Sequence, residues 1–266
     1  MMGVKPLSAF DLSLAAGLVL ILALCSRRLQ LGLEKRLAIS ALRTTVQLLL
    51  IGQVLRVLFA NASFPFVFII SMVMLLVAGR EVVARQHRRI KGLSGWLLGT
   101  GSMFVSSFAV AFFALAVVIA NDPWYTPQYA IPLLGMLLGN TMNGISLSMD
   151  RLTESLWQQR AIVEQRLLLG QTQLAAIHEL RQQAMRSGMI PIINSMAAAG
   201  LVSLPGMMTG QILGGSSPMD AVKYQILIMF LICAGTGFGV MTAITLTCRK
   251  LFDDRQRLRL GVLEKR

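Results

Sequence analysis

Long apolar stretches recur along the chain and are separated by short polar gaps. A helix needs about 20 apolar residues to cross the ~30 Å hydrocarbon core of a bilayer. Seven stretches meet this need, at residues 8–25, 44–60, 64–79, 93–120, 131–149, 189–213 and 221–248. The pattern therefore predicts an all-α integral membrane protein, one domain over residues 1–266 with about seven transmembrane helices. A composition of 55% hydrophobic and 14% charged residues agrees with that class.

The basic residues fall in alternate gaps, which predicts the orientation of the chain. All of the 25 Lys and Arg residues except Lys5, Arg56 and Lys223 follow the first, third, fifth or seventh stretch. Short loops rich in Lys and Arg stay in the cytoplasm. We therefore expect the N-terminus outside and the C-terminus in the cytoplasm. The net charge of +13 has this topological origin, so we expect no nucleic-acid partner.

The longest polar segment, residues 151–187, is predicted to form a cytoplasmic pair of amphipathic helices. Its apolar residues recur at roughly helical spacing and are Ile162, Leu168, Leu169, Leu174, Ile177 and Leu180. Gly170 divides the segment, and Thr172 is placed to cap the second helix. Such a pair either lies in the membrane interface or offers its apolar face to a soluble partner.

Several amide side chains lie inside the predicted spans, where polar groups are costly. Met136, Asn140 and Asn143 follow one another at i, i+4 and i+7, so they share one face of the fifth span. Gln47 lies in the second span and Asn194 in the sixth. These residues either line a translocation pathway or form hydrogen bonds between packed helices.

The sixth span is predicted to break at Pro205 and Gly206, since proline cannot donate the helical hydrogen bond and glycine tolerates the altered geometry. A broken helix at membrane depth must be packed in protein or line a cavity, so the break is a candidate gate. Met207 and Met208 follow it. Their thioethers are soft donors that suit copper(I) better than iron, so they are either metal ligands or packing residues.

Motifs for catalysis are missing from the sequence. The dipeptide Gly-Lys never occurs, so the chain has no P-loop for ATP. His178 and Glu179 begin a zinc-protease motif, but Gln182 stands where its second histidine belongs. The three cysteines lack CxxC spacing and lie in or beside apolar stretches. We therefore expect no enzyme activity in the chain itself and no cofactor bound to it.

Three sequence runs carry a family resemblance. They are AGLVSLPGMMTG at 199–210 followed by Pro218 and AVKYQI at 221–226, IPLLGM at 131–136 with Gly139-Asn140 behind it, and RTTVQL at 43–48. Together they resemble the FetB family, permease subunits of iron-export ABC transporters related to a plant aluminium-tolerance membrane protein. The resemblance covers roughly residues 36–249, and LPGMMTG is its most specific part.

The resemblance implies a homodimeric permease that works with a separate ATP-binding subunit, which carries ATP and Mg. Many ABC importers dock that subunit through a loop with a glutamate and, six residues later, a glycine. Glu164 and Gly170 have this offset, although Gln165 and Arg166 replace the usual alanines. The docking residues implied in this way are Glu164, Gly170, Gln171 and Thr172. The implied cargo is iron or another metal ion, and the implied location is the bacterial inner membrane.

Two other functions stay open. An ATP-independent channel or secondary carrier would transport its substrate without a second subunit. A membrane scaffold would only recruit a soluble partner through residues 151–187. The scaffold would tolerate leucine at Asn140 and Asn143, whereas a transporter that uses them would not.

Overall fold

The computed structural model describes residues 8–60 and 63–265, most of which are helical. The helices are α1 Ala9–Arg28, α2 Glu34–Ala60, α3 Phe64–Ala84, α4 Leu93–Met103, α5 Ala109–Phe113, α6 Pro127–Gln158, α7 Arg160–Leu168, α8 Gln173–Ala176, α9 His178–Ala198, α10 Gly206–Leu213 and α11 Pro218–Leu251. A π-helical turn, Phe104–Phe108, joins α4 to α5, and a second one, Ala114–Ile119, extends α5, so the whole forms one helical stretch. A 3-10 turn, Leu260–Val262, and two short strands, β1 Arg88–Ile90 and β2 Leu263–Lys265, complete the described elements.

Six helical stretches within the described residues are long and apolar enough to cross a membrane. They are α1, α2, α3, the stretch Leu93–Ile119, α6 and α11. The prediction of an α-helical, multi-pass membrane protein is confirmed. Several helices run past the predicted spans, as in α6, which covers 32 residues instead of 131–149. Hydropathy detects only the apolar middle of a helix. The predicted spans are therefore shorter than helices whose polar ends extend beyond the apolar part.

The predicted sixth span is the exception, because residues 189–213 are not one helix. α9 begins at His178 and ends at Ala198, and α10 begins only at Gly206. Gly200 has a φ of 84°, and its N–H donates to the Ser203 carbonyl at 2.9 Å, so the chain turns there. The predicted break exists, but it occupies residues 199–205. Pro205 caps α10 and does not itself end α9.

α6 lies at the centre of the bundle and packs against α3, α9 and α11. Glycines allow the closest of these approaches. A Cβ atom at Gly188 of α9 would lie 2.5 Å from the Gly144 carbonyl oxygen of α6. A Cβ atom at Gly239 of α11 would lie 2.6 Å from Cγ2 of Thr141. In a bilayer, where apolar area gives no driving force, such close backbone contact holds helices together.

α1 and α2 form a hairpin at the edge of the bundle. α1 packs chiefly against α2. α2 meets the bundle near one end, where Leu58 is buried, and near the other, where Arg43 pairs with Glu81 of α3. In the most apolar 18-residue part of each helix, only 6% of the residues of α1 and none of those of α2 are buried in the isolated chain. These apolar surfaces are therefore available to lipid or to another copy of the chain.

The C-terminal tail, residues 252–265, folds back onto the bundle. β2 pairs antiparallel with β1, with Arg89 opposite Glu264. Leu258, Leu260 and Val262 pack against the main hydrophobic core. We call this end, with β1, the tail and residues 159–177, the basic end. The expectation of a purely α-helical chain missed the ribbon, because three-residue strands carry no periodic signal in the sequence.

Candidate docking surface and translocation face

The bend at Gly170 is where the sequence predicted it. Gly170 has a φ of 87°, a left-handed conformation that glycine adopts without steric cost. Thr172 caps α8, and its side chain accepts from the Ala175 N–H at 3.4 Å. The flanking helices differ from the predicted pair. α6 takes the residues up to Gln158, α8 is a single turn, and α9 already begins at His178.

Two leucines at the bend point away from the protein. Leu168 is 87% exposed and Leu169 is 83% exposed, whereas Val163 is buried. The predicted apolar face of the first helix, which includes Leu168, therefore does not pack against the bundle. Instead, α7 packs on the bundle through Val163 and Leu167. Adjacent exposed leucines at the polar end of a membrane protein form a small apolar tip.

A groove of about 700 Å³ lies beside this tip. One wall contains all four predicted docking residues, and they are Glu164, Gly170, Gln171 and Thr172. The other wall consists of residues 254–258 of the tail. Sequence reasoning missed this second wall, although the run Asp253-Asp254 followed by Arg255 is typical of an Asp-stabilised turn.

Asp253 organises the turn in the tail. Its carboxylate accepts from the backbone N–H of Arg257 at 2.8 Å and of Arg255 at 3.0 Å, and from Nε of Arg257 at 2.8 Å. The hydrogen bond from the Arg257 backbone lowers the pKa of Asp253, with a further lowering from the Arg257 side chain. The carboxylate is therefore ionised, and the turn is held, at neutral pH.

The predicted pathway residues on α6 make defined contacts. Asn140 donates from Nδ2 to the Met136 carbonyl at 2.8 Å, a bond within its own helix. Asn143 is exposed, and its Oδ1 accepts from Nη1 of Arg85 at 2.5 Å. Gln47 and Asn194 are exposed side chains in the isolated chain.

Three of the amides lie near the point where α9 crosses α6. α9 crosses α6 where Gly188 meets Gly144. With a rise of 1.5 Å per residue, Asn140 lies ~6 Å and Asn194 ~9 Å from this crossing, both away from the basic end. Asn143 lies ~1.5 Å from the crossing, so the three amides fall within ~9 Å of it, and we call this part of the bundle the polar layer. Among the described residues, Gln47 makes no hydrogen bond to these amides.

A charged network borders this layer on the basic side. Glu81 pairs with Arg43 of α2, and its second oxygen lies 3.8 Å from Nε of Arg85, the residue that also bonds Asn143. The network therefore joins α2, α3 and α6. Sequence reasoning missed it because the apolar pattern ended the third span at 79, whereas α3 continues to Ala84 and places Glu81 inside the helix.

Met207 lies against α6 near the opposite end. It is partly buried and shares a small void of about 40 Å³ with Met136, Tyr129 and Tyr224. Two thioethers predicted for separate roles thus meet in one place, while Met208 does not line this void. Within residues 8–60 and 63–265, no three His, Cys, Asp or Glu side chains are grouped to hold a metal ion.

Six apolar helices, a broken helix and polar side chains at membrane depth define a multi-pass integral membrane protein. The chain belongs to the uncharacterised protein family UPF0014, whose profile matches residues 9–252. It is 41% identical over 217 residues to the UPF0014 membrane protein slr1647 of Synechocystis, covering 81% of this chain and 83% of that protein. The resemblance to the FetB family is confirmed by a relative of that name.

Two further relatives match nearly the whole chain. The "Probable iron export permease protein FetB" of Escherichia coli is 31% identical over 259 residues, 96% of each chain. The "Protein ALUMINUM SENSITIVE 3" of Arabidopsis thaliana is 30% identical over 250 residues, 93% of this chain and 89% of that protein. No solved structure matches this chain.

Proposed function

We propose that this protein is the membrane-spanning permease subunit of an ABC transporter that exports iron or another metal ion. The observation that carries the proposal is the tip of two exposed leucines beside a glycine bend, directly over a groove at the basic end. Such a tip suits insertion into a soluble partner. The name of the E. coli relative, an iron export permease, supports transport and the cargo.

In this proposal the basic end faces the cytoplasm of a bacterium, and a separate subunit binds ATP and Mg there. The chain supplies the mechanical link. α9 begins shortly after the bend and ends at the break at residues 199–205. A single helix therefore connects the docking surface with the break. It touches α6 closely at Gly188 and Gly144, and this contact is the pivot.

The route for the ion follows the polar layer. Asn140, Asn143, Asn194 and Gln47 line it, and the break that ends at Pro205 and Gly206 gates it on the far side. Met207, with Met136, contacts the ion as it passes the gate, and Met208 lies beside them. A pathway without a carboxylate cage binds a metal ion weakly, which suits rapid release. The permease acts as a homodimer, whose second copy covers exposed faces of the first.

The docking step is tested by affinity purification of the tagged protein from its native membrane in mild detergent. We expect a near-stoichiometric partner with a P-loop to co-elute. The double variant Leu168→Ser with Leu169→Ser should lose this partner at least about tenfold, since burying the two side chains is worth roughly 1.5–3 kcal/mol each. The matched control is Leu29→Ser with Leu31→Ser, two exposed leucines after α1.

Two results would contradict the proposal. A wild-type protein that brings down no P-loop protein would favour a channel or carrier that works alone. A partner that stays bound to the Leu168 and Leu169 variant would show that docking uses another surface.

A further inference from the structure

The C-terminal tail is anchored on its own, independently of the bend. Arg89 pairs through Nε with Glu264 Oε1 at 2.6 Å, and the Lys91 N–H donates to the Val262 carbonyl at 2.8 Å. Phe252 and Leu263 are buried, and Leu258, Leu260 and Val262 between them pack on the core. The turn at residues 253–258 is therefore a fixed structure that stands beside the bend.

Gln256 carries the contact between the turn and the bend. Its Oε1 accepts from the Gln173 N–H at 2.9 Å. Gln173 is the first residue of α8, and the first N–H groups of a helix lack partners within the helix. Gln256 and Thr172 thus satisfy two of these groups together. Gln256 has a φ of 58°, a conformation that a residue with a Cβ atom adopts only where the surroundings hold it.

The charge on this wall is unevenly balanced. Arg257 is paired with Asp253 and Arg89 with Glu264. Arg255 is exposed and lines the groove, whereas Arg249, Lys250 and Arg259 are exposed but lie outside its lining. Among the described residues these four are in no salt bridge, while Asp254 is the single acidic side chain of the tail left unpaired. Glu164 and Asp254 also line the groove and are in no salt bridge among the described residues, so Arg255 is the unpaired cation of this groove, and a carboxylate of a partner would complement it.

We propose that the turn at residues 253–258 is the second wall of the docking surface, and that it binds the same ATP-hydrolysing subunit as the leucine tip. This inference rests on the proposed function. The partner would present an apolar cleft for Leu168 and Leu169 and, beside it, a carboxylate for Arg255. The groove is continuous between the two walls, so one segment of the partner contacts both.

The second wall gives the partner a second connection to the membrane helices. The tail pairs with β1, and Arg88 of β1 bonds Glu154 of α6 through Nε at 3.0 Å. Just before β1 in the chain lies Arg85, which donates a hydrogen bond to Asn143 of α6. A partner seated in the groove would therefore act on α9 through the bend and on α3 and α6 through the tail.

The test measures the affinity of the purified P-loop subunit for the full-length protein in lipid nanodiscs. Arg255→Glu reverses the rim charge without touching residues 164–172, and we expect it to weaken binding at least about tenfold, more at low salt. Gln256→Ala removes the acceptor for Gln173, and we expect weaker binding together with faster hydrogen exchange at α8. The control is Lys35→Glu, an exposed basic residue at the start of α2.

The possible outcomes test the second wall and the proposed function separately. Loss of binding in Arg255→Glu and in the Leu168 and Leu169 variant, but not in Lys35→Glu, supports the second wall. Wild-type affinity in Arg255→Glu and Gln256→Ala, with loss in the leucine variant alone, overturns the second wall and keeps the proposed function. Absence of any P-loop subunit that binds the wild-type protein overturns both. Equal weakening by Arg255→Glu and Lys35→Glu shows general charge attraction only and also overturns the second wall.

Discussion

Asn143 is held by charged side chains that join three helices. Arg85 bonds its Oδ1, and Glu81 lies between Arg85 and Arg43 of α2. Charged groups close to a membrane are costly unless they are paired, so this arrangement fixes the amide at the edge of the polar layer. Among the described residues Asn140 bonds only its own helix, through Nδ2, so in the proposed route its oxygen is available to an ion.

For these side chains we predict that Asn143→Leu, combined with Asn140→Leu, lowers metal transport at least about tenfold, because the proposed pathway loses two of its four amides. The fold should survive, since Arg85 keeps Glu81 as a partner and Asn143 is exposed. Transport and thermal stability in detergent are measured together. Thr45→Leu, an exposed polar position on α2, is the control. Full transport by the double variant would favour a different route, or the scaffold.

The sequence predicted which amides share a face of α6 but not their partners. The spacing of Asn140 and Asn143 is a local property, so it is visible in the sequence. The bond from Arg85 depends on α3 continuing past its apolar part and lying beside α6, which is a tertiary contact. Met136 and Met207 likewise line one void only through tertiary packing, in which α10 lies against α11.

Among the helices, α9 leads toward the break at residues 199–205, and in the proposed mechanism its contact with α6 limits how it can move. A Cβ atom at Gly188 would lie 2.5 Å from the Gly144 carbonyl oxygen and 2.9 Å from Ser148 Cβ. Neither neighbour is the far end of a flexible side chain, so the helices would have to separate. The contact is thus both a packing element and a constraint on the pivot.

We therefore predict that Gly188→Ala destabilises the protein by about 1–3 kcal/mol, the usual cost of overpacking. The thermal midpoint in detergent should fall, and the coupling of ATP hydrolysis to transport should weaken. Gly139→Ala is the matched control, since a Cβ there would meet no described atom within 4 Å. A helix gains roughly 0.5–1 kcal/mol from that change. Equal midpoints for the two variants would refute the close contact.

The ends of a helix can be predicted from hydropathy only where the apolar stretch and the helix begin and end at the same residues. α9 begins with His178 and several charged residues, so hydropathy placed its start at 189 instead. Proline and glycine indicated a break near 205, but Gly200 with its positive φ ends the regular path earlier. The tail has no apolar periodicity, and its place beside the bend comes from strand pairing with a distant segment.

The molecule as a whole exposes polar side chains at membrane depth and a largely uncovered hairpin of α1 and α2. Gln47 and Asn194 would be unstable against lipid, so water in a pathway or a second copy must face them. Both conditions are met in a homodimeric permease with the route at its centre. The sequence contains no P-loop, so in the proposed transporter ATP is bound by a separate subunit.

The central claim is tested most directly by flux into inverted membrane vesicles that carry this protein with its co-purified P-loop subunit. Iron(II) is added outside, together with ATP and Mg or with ADP as the control. We predict accumulation of iron inside that requires ATP and both proteins and is lost in the Leu168 and Leu169 variant. Iron entry that is equally fast without ATP or without the partner would contradict the account and identify a self-sufficient channel or carrier.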